Sequence, residues 1–292
     1  MRARDLVSYL FLAVTWGLSF LVLVKVVAAF GWVGAVTLRC LLAGATLVVM
    51  GKVLRRGLVF GLGWRPYAIV GATTVAGQLI GLSYGTPLIG TAMAAILVAA
   101  IPLFSMLISQ LWGLERMTMG RLVGLLIGMA GIVLLVGFPA VPVTPGFLLA
   151  CAACLFASFS AAFGSNYASL HLRTAGSLEV AAGSFLAGGL MTLPLLIVVP
   201  VPTMPGLADF VYLGILGIVM SALTYAIYFR LVAAIGPTRA ISVEFAVTVV
   251  AVLVGALLLK EPLTPVQLFG AAIIVVGCLL VLGVLPPRRH HS

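Results

Sequence analysis

Residues Glu115–Gly131 read ERMTMGRLVGLLIGMAG, and the pattern returns 146 residues later as EPLTPVQLFGAAIIVVG at Glu261–Gly277. At this offset Glu115 matches Glu261, Thr118 matches Thr264 and Leu122 matches Leu268. Gly124 matches Gly270, Ile127 matches Ile273 and Gly131 matches Gly277. Each copy is a short polar turn feeding one apolar helix. The echo extends backward, with GTAMAAI at 90–96 lying over GPTRAIS at 236–242. The offset is half of the 292 residues, so the chain reads as two copies of one unit.

Composition sets the environment of that unit. The chain is 63% apolar and 8% charged, with a mean hydropathy of +1.31. A soluble domain carries about 25% charged residues, so this chain reads as an all-α integral membrane protein. Backbone in lipid must satisfy its own hydrogen bonds, which leaves helices or a closed barrel. Long unbroken apolar runs argue against barrel strands, which alternate. The net charge of +10 is no nucleic-acid signal, because the positives lie between apolar spans. Cys40, Cys151, Cys154 and Cys278 all fall inside apolar spans. Cys151 and Cys154 form a lone CxxC without a second ligand pair, so neither a metal site nor a cofactor is expected. The basic start MRARDLVSYLFLAV leads into an apolar run reaching about Ala29, longer than a signal core, and reads as an uncleaved first span.

Ten runs are long enough to cross a membrane: about 6–29, 33–51, 67–87, 90–111, 120–138, 146–168, 178–199, 207–230, 237–259 and 265–285. The expected division is 1–139 as a first five-helix repeat, 140–285 as a second, and 286–292 as a tail set aside from the fold. Thirteen of the 16 Lys and Arg residues gather on the side of the N-terminus, leaving Lys25, Arg39 and Lys260 toward the other. The positive-inside rule then places both termini in the cytoplasm, and the inner (plasma) membrane is the expected location. Five is odd, so the two copies enter the membrane in opposite senses. Inverted-topology repeats are a recurring plan of secondary transporters, with the substrate site near the midplane where the repeats meet.

The doubled E-x-x-T-x-x-x-x-G, each copy ending a five-span half, resembles the EamA-type members of the drug/metabolite transporter superfamily. Within that family the chain is most similar to the YddG-type exporters of aromatic amino acids. The resemblance implies a central cavity lined by spans 1, 3, 4, 6, 8 and 9. It also implies a proline 13 residues before the repeat glutamate. Pro102 stands there before Glu115, whereas Thr248 stands there before Glu261. The family often has a glutamate beside that proline; here Glu244 sits about one turn earlier.

Ionisable groups inside a membrane are functional candidates by default. Glu244, about seven residues into the ninth span, either contacts a substrate ammonium or coupling proton, or pairs with Arg239, Arg230 or Arg173. Arg39 and Lys25 lie toward the outer face, where each can snorkel to the interface. Glu179 and Asp209 start spans and favour capping or dipole roles. Glu115 and Glu261 sit in turns where a carboxylate can accept from free backbone N–H groups. Trp16, Gln78, Ser158, Ser160, Tyr225, Ser242 and Thr248 fall near mid-span. Together with Pro102 and Glu244 they are the candidate cavity residues, although Ser and Thr often bond their own helix and Trp16 could simply pack. The glycine rows Gly77/Gly81/Gly85 and Gly120/Gly124/Gly128 favour close helix packing.

The expected function is a secondary transporter exporting aromatic or other neutral amino acids and similar small amphipathic metabolites by alternating access. Its partners are that small-molecule substrate and the lipid bilayer. No G-x-x-x-x-G-K-[ST] is present, so direct ATP drive is not expected. A proton-coupled exporter of lipophilic drugs or cations is the alternative, and a channel-like pore is a second. An enzyme is not expected, since no histidine lies within a span and no nucleophile motif is visible.

Overall fold

The first two apolar runs fold as a single element, α1 (Ala3–Val53), broken at Gly31. Gly31 has φ 71° and ψ 166°, a conformation open essentially to glycine alone. An unbroken helix of 51 residues would extend about 77 Å against a hydrocarbon core of about 30 Å, so the break yields two arms of crossing length. This computed structural model describes residues 3–55, 57–113, 118–137, 142–202, 204–235, 240–241, 243–261 and 263–281. Glu115, Arg116, Arg239, Ser242 and the tail lie outside the described residues.

The helices that follow are α2 (Trp64–Ile89), α3 (Thr91–Leu111), α4 (Met119–Gly137), α5 (Pro145–His171) and α6 (Ser177–Val198). They continue with α7 (Leu207–Ala234), α8 (Val243–Leu257) and α9 (Pro265–Val281). Among the described residues there is no strand. Among the described residues, six helices (α1, α2, α3, α5, α6 and α7) are long and apolar enough to cross a membrane, while α4, α8 and α9 carry shorter apolar stretches. The chain is a multi-pass helical membrane protein.

Helix starts follow from local chemistry. Thr144 caps α5, its hydroxyl accepting from Phe147 N at 3.1 Å, with Pro145 in the first turn. At α9, Gln267 N donates to the Thr264 hydroxyl (3.1 Å) while Thr264 N donates to Gln267 Oε1 (2.9 Å), a reciprocal capping box. Asp209 Oδ2 accepts from Gly206 N at 2.8 Å at the start of α7, the capping role its position suggests.

Small residues set the helix spacing. Gly81 and Gly85 of α2 lie against the α5 backbone at Ala153 and Ala150. A Cβ on Gly277 of α9 would stand 2.6 Å from Gly124 O of α4, so these two helices touch backbone to backbone. Two segments widen to π-helix, Gly71–Gly77 in α2 and Ile215–Leu223 in α7, both beside the centre of the bundle. Gly31 packs against Pro202, and Gly90 against Glu261, at one end of the bundle. Phe60 and Tyr67 meet Gly183 near the other end, where the 172–176 turn also lies.

A candidate functional site between α1, α2, α7 and α8

Trp16, on the first arm of α1, is held in place from several sides. Its indole Nε1 donates to the Thr224 hydroxyl at 3.0 Å. Its ring lies 5.3 Å from Tyr225 and 5.4 Å from Tyr228, and Phe185 meets Tyr225 edge-on at 4.9 Å. Tyr225 donates its phenolic O–H to Gln78 Oε1 at 3.3 Å, a long bond. Trp16, Gln78 and Tyr225 border a central cavity of about 40 Å³ that Arg39 and Glu244 also line. A water needs about 10–15 Å³ on the same measure, so the space holds a few waters and is contracted relative to any amino acid.

Arg39 and Glu244 are 5% and 8% exposed, so both charges are removed from bulk solvent. Arg39 donates through Nε to Ser221 Oγ at 2.6 Å, and its terminal nitrogens have no hydrogen-bond partner among the described residues. The Glu244 carboxylate likewise has none among them. Ser221 sits in the wide segment of α7 and donates back to Leu216 O at 2.6 Å, a bond that spans the enlarged turn. The π-helical stretch thus presents Ser221 to Arg39.

A second space, of about 510 Å³, opens toward the 172–176 turn between Ser109, Asn166, Arg173 and Phe229. Asn166 is tied by Ser109 and Ser105, each at 2.8 Å. Ser165 and Tyr228, bonded at 2.9 Å, stand one residue from Asn166 and Phe229 and separate this vestibule from the central cavity.

The structure therefore brings together four of the expected cavity residues: Trp16, Gln78, Tyr225 and Glu244. It places others elsewhere. Ser158 donates to Cys154 O and Leu97 O, tying α5 to α3. Thr248 donates to Glu244 O and to Ala95 O, tying α8 to α3. Ser160 packs on Gly77, and Pro102 restarts α3 after the turn at Ala99–Ala100. Ser242 lies outside the described residues.

Arg39 corrects the expectation of a snorkelling side chain. It lies eight residues beyond Gly31, about 12 Å along the helix, and turns inward rather than to an interface. That depth was its signal in the sequence. It also adds span 2 to the cavity walls that the family resemblance implied. Glu244 does not pair with Arg230, which donates to Ser8 at 2.6 Å, nor with Arg173. Glu179, expected to cap or to complement the helix dipole, accepts a hydrogen bond from Tyr67 and ties α6 to α2. Lys25 stands over the Tyr212 ring at 5.3 Å. Cys151 and Cys154 are free and buried, and among the described residues no cluster of His, Cys, Asp and Glu could hold a metal.

The sequence model described as the EamA-like transporter family matches residues 6–137 and again residues 144–283. The chain belongs to the EamA-like transporter family. Protein PecM of Dickeya dadantii is 29% identical over 96% of this chain and 92% of its own. The inner membrane transporter YedA of Escherichia coli K12 is 31% identical over 65% of this chain and 61% of its own. A transporter of Archaeoglobus fulgidus is 24% identical over 91% of this chain. One crystal structure superposes with a TM-score of 0.72 over 96% of this chain and 98% of its own at 20% identity, a likeness of fold. The EamA-like assignment makes the cavity the candidate site of a transporter.

Proposed function

We propose that this EamA-like chain is a secondary transporter that exports neutral amino acids, aromatic ones among them, and similar small amphipathic metabolites by alternating access. The observation that carries this reading is the central cavity, walled by Trp16 and Tyr225 and bordered by Arg39 and Glu244, neither of which has a charged partner among the described residues. An aromatic wall beside a few polar groups suits a solute that is apolar at one end and charged at the other. The similarity to YddG-type exporters points the same way.

The topology in this reading is ten spans with both termini cytoplasmic. The arms of α1 are spans 1 and 2, and α2 to α9 are spans 3 to 10. The 172–176 turn and the vestibule then face the cytoplasm, while Gly31 and Glu261 face outward. Equivalent positions of the two copies meet at the centre. Leu79 and Tyr225, and Val98 and Glu244, are 146 residues apart and line the same cavity. Such a meeting supports a site between inverted repeats. The cavity is too small for its solute in this conformation, so one repeat must rock against the other to admit it.

Counterflow tests the reading. Proteoliposomes preloaded with unlabelled amino acid are offered labelled phenylalanine, threonine or methionine without a proton gradient. Accelerated, saturable uptake above empty liposomes is the expected result. No counterflow for any of the three would end the amino-acid reading. Glu244 favours a second one, a proton-coupled exporter of lipophilic cations, which Arg39 in the same cavity opposes.

A further inference from the structure

Arg39 and Glu244 present a problem that the described residues do not solve. A charge taken out of water is strongly unfavourable unless it is paired and hydrogen-bonded. Arg39 has one neutral partner, Ser221, which occupies Nε and leaves the forward face of the guanidinium free among the described residues. Glu244 has no side-chain partner among them. Both line the cavity that Trp16 and Tyr225 wall. The two are staggered along the bundle. Arg39 lies about 12 Å from Gly31, whereas Glu244 lies thirteen residues from Leu257, about 20 Å from the same end. The cation therefore sits nearer the Gly31 end and the anion nearer the vestibule.

We propose that Arg39 and Glu244 are the two poles of a zwitterion site. The guanidinium takes the carboxylate of an α-amino acid and the Glu244 carboxylate takes its ammonium, with the side chain against Trp16 and Tyr225. Ser221 holds Nε of a guanidinium that lines the cavity, which leaves the paired terminal N–H groups for a carboxylate. The substrate binds with its carboxylate toward the Gly31 end. This assignment rests on the transporter reading above and narrows it. Both charges contribute, so amines and carboxylic acids of the same shape bind more weakly.

Three probes of one shape separate the poles: phenylalanine, phenethylamine with only the ammonium, and 3-phenylpropionate with only the carboxylate. Their affinities are measured by calorimetry on the purified full chain, alongside counterflow. The wild type is expected to prefer phenylalanine about tenfold or more over either analogue. Arg39→Gln is expected to lower phenylalanine affinity about tenfold or more while leaving phenethylamine unchanged. Glu244→Gln is expected to lower phenylalanine and leave 3-phenylpropionate unchanged. Arg39→Lys keeps the charge, and partial recovery of phenylalanine with it supports the pole. A merely structural arginine would weaken all three probes alike, and that result overturns the assignment. So does a wild type that binds phenethylamine as well as phenylalanine. Binding with these preferences but no counterflow would keep the poles and end the carrier reading. Counterflow of phenylalanine undisturbed by Arg39→Gln would do the reverse.

Discussion

Glu261 accepts hydrogen bonds from Thr91 N (2.7 Å), the Thr91 hydroxyl (2.9 Å) and Ala92 N (2.8 Å). A carboxylate there also complements the positive end of the α3 dipole. The glutamate therefore caps a helix of the other half of the chain, while Thr264, three residues on, caps its own. Removing Glu261 leaves those donors without their acceptor. Glu261→Ala is expected to destabilise the protein by about 1–3 kcal/mol in reversible SDS unfolding, with Glu261→Gln milder. Unchanged stability would mean that the clamp contributes nothing. Trp16 acts through its faces and its indole N–H. Trp16→Ala is expected to raise the half-saturating phenylalanine concentration in counterflow about threefold to tenfold, with a smaller change for threonine. An equal loss for both would assign Trp16 to packing alone. Trp16 and Gln78 were legible as candidates because a large polar side chain at mid-span needs a partner. Arg39 was less so, since only the depth at which the helix breaks, not its residue type, distinguishes a buried arginine from a snorkelling one.

Helices α4 and α9 meet through glycines, with Gly131 against Gly270 and Ile274, and Gly277 against Gly124 and Gly128. Among the described residues, neither helix contributes to the central cavity or the vestibule. Gly277→Leu forces the two backbones apart and is expected to cost about 1–3 kcal/mol in the same unfolding assay. The folded fraction should keep its half-saturation for phenylalanine. A changed half-saturation would connect this pair to the site. The repeated motif that marks the chain ends in this pair, and its described residues serve packing in both copies and helix capping at Glu261 and Thr264. It reveals the architecture while saying little about the site. The widened segments Gly71–Gly77 and Ile215–Leu223 carry no such mark. They depend on which residues oppose them, and only the folded bundle supplies those neighbours.

At the scale of the whole molecule, hydropathy alone yielded the helical membrane class, and the break at Gly31 lies in the gap between the expected runs 6–29 and 33–51, while that at Gly90 lies at the start of the run 90–111. The shape of the cavity was not legible, because it depends on five helices brought together from both halves. The orientation has its own test. In a background lacking the native cysteines, Met204→Cys, in the exposed loop between α6 and α7, should react with an impermeant thiol reagent in intact cells. Gly57→Cys should react only after the membrane is opened; the reverse pattern would invert the topology. The most direct measurement of alternating access uses the same background with Ser19→Cys, whose position lines the central cavity. An impermeant reagent is applied to either face of sealed, oriented vesicles. Labelling from each face separately, slowed by saturating phenylalanine, is the predicted result. Labelling from one face alone, or labelling indifferent to phenylalanine, would contradict a carrier that exposes this cavity to each side in turn.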